Sequence, residues 1–110
     1  MKTYLQVTTT TETKEQAEKI AQYLVEAKLA ACVQINGPIT SIYRWKGKVE
    51  NAQEWLCLIK TQDDLYGKVE AAIKSLHSYE IPEIIAVPIV KGSKEYLKWI
   101  DNELENKNEN

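Results

Sequence analysis

His77 is the only histidine in the sequence, so any imidazole base or imidazole metal ligand must be this residue. Ser78-Tyr79-Glu80-Ile81-Pro82-Glu83 follows it, placing one phenol and two carboxylates within six residues of the ring. Those groups suit proton transfer or cation coordination. They equally describe a solvated acidic loop ordered by Pro82, after a histidine that caps a helix end and favours its dipole. The thiols are Cys32 and Cys57, both set among apolar, strand-like neighbours. Buried free cysteines in a reducing compartment are the plain expectation. Nucleophilic catalysis would need one of them beside His77, with an acid such as Glu80 to orient the ring. No stretch reads as a strained nucleophile elbow or an oxyanion nest.

Spacing alone offers little for a dedicated metal site. The sequence has no C-x-x-C, no H-x-x-x-H and no H-E-x-x-H, and Cys32, Cys57 and His77 lie far apart. One chain would not close a site with them, although ligands pooled across subunits could. Asn36-Gly37-Pro38 and Lys91-Gly92-Ser93 have one glycine each, far from a phosphate-cradling loop. A net charge of −2 with interspersed signs gives no electrostatic case for nucleic acid or an anionic membrane. No window reaches the apolar length of a membrane span. The N-terminus shows no signal-peptide pattern, so a cytoplasmic location is the default expectation.

The elements that position these residues follow from periodicity. A chain of 110 residues suffices for one domain, expected over residues 1–104, with a disordered tail at 105–110. Tyr4 to Thr9 reads as a strand. Thr13 offers an N-cap and Gln16 completes a capping box for a helix from Lys14 to about Lys28, with Ala17, Ile20, Ala21, Leu24 and Val25 on one face. Cys32 to Trp45 is a strand interrupted at Asn36-Gly37-Pro38, where Gly invites a bulge and Pro removes a ladder donor. Lys46-Gly47 predicts a two-residue turn that sets Trp45 opposite Lys48 and Tyr43 opposite Glu50. The return strand is polar to Glu54, as if reaching beyond the core. From Trp55 it is apolar on both faces, which predicts a central position. Asp63 should cap a second helix, Ile84 to Val90 should form a fourth strand at an edge, and Ser93 should cap a last helix. The order β-α-β-β-α-β-α is the ferredoxin-like α+β arrangement with an extra C-terminal helix and a long β2-β3 hairpin. Two helices cover one face of such a sheet. The other face, with its aliphatic and aromatic positions, predicts association with further copies of the chain.

Several stretches resemble the CutA family, the divalent-cation tolerance proteins. They are Leu29-Ala30-Ala31-Cys32-Val33, Ser41 to Glu50, Leu58-Ile59-Lys60-Thr61, His77-Ser78-Tyr79-Glu80-Ile81-Pro82-Glu83 and Tyr96-Leu97-Lys98-Trp99-Ile100. The resemblance runs from about Tyr4 to Leu104. It implies a ferredoxin-like subunit in a homotrimer, the long hairpin reaching onto a neighbour, and tolerance to copper and other divalent cations. Carried over by position, the family's recurrent polar residues are Cys32, Tyr43, Glu50, Glu54, Lys60, His77, Tyr79 and Glu80. Of these, Cys32 and His77 are the implied metal donors, and the others are implied supporting or inter-subunit cleft groups. Ser78 departs from the proline usual after this histidine.

The expectation is therefore a non-enzymatic homotrimer of divalent-cation tolerance. Copper or another divalent cation would bind weakly between subunits, and no cofactor would be essential. Two alternatives stand beside it. One is a small-molecule sensor like the P-II signalling proteins, with Lys60 and the aromatic hairpin around an anionic metabolite. The other is a scaffold for a partner protein.

Overall fold

A computed structural model describes residues 2–104, and the tail expected at 105–110 lies outside them. The elements are β1 (Tyr4–Thr11), α1 (Lys14–Glu26), β2 (Cys32–Trp45), β3 (Lys48–Gln62), a 3-10 turn (Asp63–Leu65), α2 (Tyr66–Leu76), β4 (Ile85–Ile89) and α3 (Lys94–Glu103). The strands form one antiparallel sheet in the order β2-β3-β1-β4. This is the α+β, ferredoxin-like arrangement that the sequence predicts. β3, apolar on both faces in its second half, is central. β4, with Pro88, is at an edge.

Strand alternation sorts the sheet into two faces. Val7, Thr9 and Thr11 of β1, with Cys57, Ile59 and Thr61 of β3, are fully buried on one face. There Val7, Cys57 and Ile59 join Ala17, Ile20 and Leu24 of α1 and Val69 and Ile73 of α2 in one core cluster with Leu5 and Leu65. Each buried aliphatic side chain contributes about 1.5–3 kcal/mol relative to exposure. The opposite face carries Gln6, Thr8, Leu58 and Lys60, together with Ile85 and Val87 of β4, both of which are exposed. α3 closes the end of the sheet near Tyr4, whose hydroxyl donates to Asp101 at 2.9 Å. Gln62 also donates to Asp101, and Ile100 is fully buried.

Several local details differ from the sequence expectation, among them β4, which spans Ile85–Ile89 rather than Ile84 to Val90. α1 stops at Glu26, because Ala27 and Lys28 donate to the Tyr23 and Val25 carbonyls and Lys28 turns left-handed at φ 60°. That turn lets Ala31 donate to the Lys60 carbonyl and deliver Cys32 to the sheet. Thr13 does cap α1, accepting from Gln16 N at 3.1 Å, but the Gln16 side chain does not return to Thr13. It donates instead to the Leu76 carbonyl at 2.8 Å, serving the end of α2. Asp63 opens the 3-10 turn rather than capping α2, which starts after Leu65 with no side-chain cap. β1 runs two residues longer than expected, to Thr11, where it still pairs with Trp55.

The hairpin adopts the predicted register, with Trp45 opposite Lys48 and Tyr43 opposite Glu50. Lys46 (φ 52°) and Gly47 (φ 82°) both take the left-handed conformation that a two-residue type I′ turn requires. Further down, Asn36 faces Leu56 and Ile39 faces Glu54, so Gly37 and Pro38 together oppose Trp55 alone. This is a bulge. Gly37 is needed there, since a Cβ would lie 2.5 Å from Trp55 Cδ1. Fourteen residues of β2 at about 3.4 Å each account for the 49 Å long axis of the molecule.

Candidate functional site

The loop after α2 is fixed by the histidine that ends the helix. His77 N still donates to the Ile73 carbonyl, while its own backbone is already extended (φ −80°, ψ 145°). The ring then makes two hydrogen bonds. Nε2 lies 2.7 Å from the Thr10 carbonyl, and the Tyr79 amide donates to Nδ1 at 3.0 Å. A carbonyl only accepts and an amide N–H only donates, so this pair of bonds requires the neutral Nε2–H tautomer. His77 thus ties β1 to its own loop.

Tyr79 continues the chain of contacts. Its ring lies 4.8 Å from the imidazole, centroid to centroid, and its hydroxyl donates to Glu54 Oε2 at 2.7 Å. Glu54 is on β3 beside the bulge, on the sheet face opposite α1 and α2, and only 7% exposed. Burial raises the Tyr79 phenol well above its usual range. The hydrogen bond to Glu54 and the charges of Glu54 and Glu12 act in the same direction.

Above these residues lies a cleft of about 730 Å³ between the hairpin arm and the loop after α2. Tyr43, Arg44 and Trp45 line it from the arm, Glu54 from β3, and Tyr79 and Glu80 from the loop. Of the predicted site residues, His77, Tyr79, Glu54, Tyr43 and Glu80 are therefore brought to one region. Glu50 stands exposed further out on the arm, opposite Tyr43.

Cys32 and Lys60 belong to the other end of the sheet. They face each other across the β2-β3 ladder, and Lys60 Nζ donates to Gln34 Oε1 at 2.7 Å. On α3, burial and then the neighbouring Cys32 thiol raise the pKa of the Tyr96 phenol. Lys60 is level with Gln6 on β1, whereas His77 bonds Thr10. That offset is four residues, about 14 Å along the strand, so Cys32 and His77 do not meet within one chain. Among the described residues, no group of three or more His, Cys, Asp or Glu side chains is placed to hold a metal ion. Cys57 is fully buried, and burial alone pushes its thiol up to about 11.

Sequence reasoning missed the Thr10 carbonyl that holds His77, which lies 67 residues away along the chain. A backbone acceptor carries no side-chain signal. It also missed the Gln16 contact with Leu76, since Gln three residues after Thr reads as a local cap.

The profile of the CutA1 divalent ion tolerance protein family matches residues 5–103. A divalent-cation tolerance protein CutA of Thermus thermophilus is 48% identical over 91 residues, covering 83% of this chain and 88% of that protein. The corresponding Archaeoglobus fulgidus protein is 47% identical over the same shares of the two chains. In three dimensions, the Thermus thermophilus Cut A1 structure matches with a TM-score of 0.90 at 44% identity, covering 93% of this chain and 99% of that one. CutA1 from Oryza sativa matches with a TM-score of 0.92 at 37% identity, covering 96% of each chain. Compartments differ among these relatives. A protein of Arabidopsis thaliana is named chloroplastic, and the Archaeoglobus fulgidus structure is described as periplasmic.

Proposed function

The chain belongs to the CutA1 divalent ion tolerance family, and from that premise we propose that it serves cation tolerance as a non-enzymatic homotrimer. Copper or a similar divalent ion binds weakly at sites shared between subunits. The cytoplasm is the proposed compartment; among the described residues, no helix is long and apolar enough to cross a membrane.

The observation that carries the assembly is the uncovered arm. Ile42 is 70% exposed and Val49 66%, and Tyr43 and Trp45 stand beside them on a ribbon that no helix among the described residues covers. Ile85 and Val87 add an exposed apolar stretch on the β4 edge. Surfaces of this kind mark association, and identical chains most often close into rings. Three copies is the number that the family resemblance implies.

For the metal, Cys32 is the half-buried soft donor, and His77 joins by exchanging the Tyr79 amide for the ion at Nδ1. Their separation within a chain favours ligands pooled from neighbouring chains, with Glu50, Glu54 and Glu80 as supporting carboxylates. The same separation speaks against a thiol–imidazole nucleophile. Sedimentation equilibrium combined with Cu²⁺ titration of the wild type, Cys32→Ser and His77→Ala tests the proposal. The expected result is a trimer whose affinity falls in both variants. A folded monomer defeats the assembly, and unchanged affinity and stoichiometry in both variants remove these residues from the site.

The sensing alternative draws support from the aromatic cleft. Its anionic form is less well served, because Lys60 is not among the cleft residues.

A further inference from the structure

The imidazole of His77 has one nitrogen with a lone pair to give, and that nitrogen is covered. Nε2 carries the proton and is fixed on the Thr10 carbonyl at 2.7 Å, which sets the orientation of the ring. Nδ1 accepts from the Tyr79 amide at 3.0 Å, and the Tyr79 ring lies 4.8 Å from the imidazole, centroid to centroid. Thr10, Ser78 and Tyr79 line the cleft below the arm, whereas His77 does not. Tyr79 therefore stands between the ring and the cleft. An amide two residues along covers a nitrogen only as firmly as its own residue is held. The anchor is the far end of the same side chain, where the hydroxyl donates to the buried Glu54 at 2.7 Å. Hydrogen bonds to a charged group are the stronger kind. Ser78, between the two residues, is exposed and adds only a 3.3 Å contact to Glu12.

We infer that the Tyr79–Glu54 hydrogen bond is an autoinhibitory latch, which keeps the Tyr79 amide on His77 Nδ1 until the loop opens. A ligand that takes Nδ1 leaves that amide without its acceptor, so its apparent affinity is lowered by the cost of opening. The coupling is reciprocal. Occupation of Nδ1 loosens the tie between the loop and the root of the arm on β3. As a control on cation binding, the latch rests on the proposed reading of His77 as a donor. Its existence is tested without any metal.

His77 is the only histidine, so acylation of the full chain by diethyl pyrocarbonate reports its accessible nitrogen directly. Rates are compared at a pH where the imidazole is neutral. Tyr79→Phe keeps the amide and the ring but lacks the anchor. It should react at least about tenfold faster than the wild type, as loss of one hydrogen bond to a charged group predicts. Glu54→Ala should do the same, and the double variant should be no faster than either single one. Gly47→Ala, strained at the far end of the arm, should react at the wild-type rate. Equal rates in the wild type, Tyr79→Phe and Glu54→Ala overturn the inference, whether all are fast or all are slow. Equal acceleration in Gly47→Ala also overturns it, because global stability would then be the cause. If the rates behave as expected but Cu²⁺ fails to slow acylation of Tyr79→Phe, the donor reading of His77 fails and the latch stands.

Discussion

The Tyr79 hydroxyl donates to Glu54 Oε2 across 2.7 Å, joining the loop after α2 to the point on β3 where the hairpin leaves the core. Removing the donor leaves a buried carboxylate with no partner. Tyr79→Phe should therefore cost about 1–3 kcal/mol in urea denaturation, while Glu54→Gln, which keeps an acceptor, should cost less.

The same contact predicts alkaline behaviour. Tyr79 has its pKa raised in the folded state, chiefly by burial and then by Glu54, so its contribution to stability is complete below the unfolded value of about 10. It is lost as pH rises beyond that value toward the folded one. Absorbance titration near 295 nm should show Tyr79 among the last tyrosines to ionise. Tyr79→Phe should flatten the fall of stability above pH 10. A stability that falls as steeply in the variant would contradict this assignment.

Gly37 and Trp55 are mutually fitted at the bulge. Gly37→Ala drives a methyl group into the indole and should cost about 1–3 kcal/mol. Combining it with Trp55→Leu should recover part of the loss relative to the sum of the two single changes. Strict additivity in this double-mutant cycle would show that the contact does not set the cost.

The hairpin turn is not optimal for its conformation. Lys46 holds φ 52°, where asparagine is better accommodated, so Lys46→Asn should raise stability by a few tenths to about 1 kcal/mol. Gly47→Ala, at φ 82°, should lower it by about 1–2 kcal/mol. Thermal melts of the two variants should move in opposite directions.

The two thiols should separate kinetically. Cys57, buried and pushed up to about 11, should react with a disulfide reagent only at the rate of unfolding. Half-buried Cys32 should react faster under native conditions. Labelling followed by mass spectrometry of tryptic peptides distinguishes them.

Much of the fold was legible because its signals are local or periodic. The helical spacing of Ala17, Ile20 and Leu24, the two-sided apolarity from Trp55 to Ile59 and the Lys46-Gly47 turn each point to the element that forms. The register of Tyr43 against Glu50 followed from turn length alone. What failed was competition between nearby partners. Gln16 could serve Thr13 or Leu76, and Asp63 could cap a helix or open a tighter turn. Only the packing of α1 beside α2 decides such cases. The candidate site was legible as a set of residue types and not as a constellation. His77, Tyr79 and Glu80 are neighbours in sequence, yet Glu54 joins them through strand register, and Cys32 is kept away by that same register.

The bulge at Gly37 and Pro38 bears on how the arm's length can change. Beyond it the two strands are paired residue for residue up to the turn, so the arm could be shortened or extended without touching the core. Taking one residue from each strand would exchange the surfaces that Tyr43 and Ile42 present, whereas taking two would leave them as they are. Its reach is thus adjustable only in steps of about 7 Å.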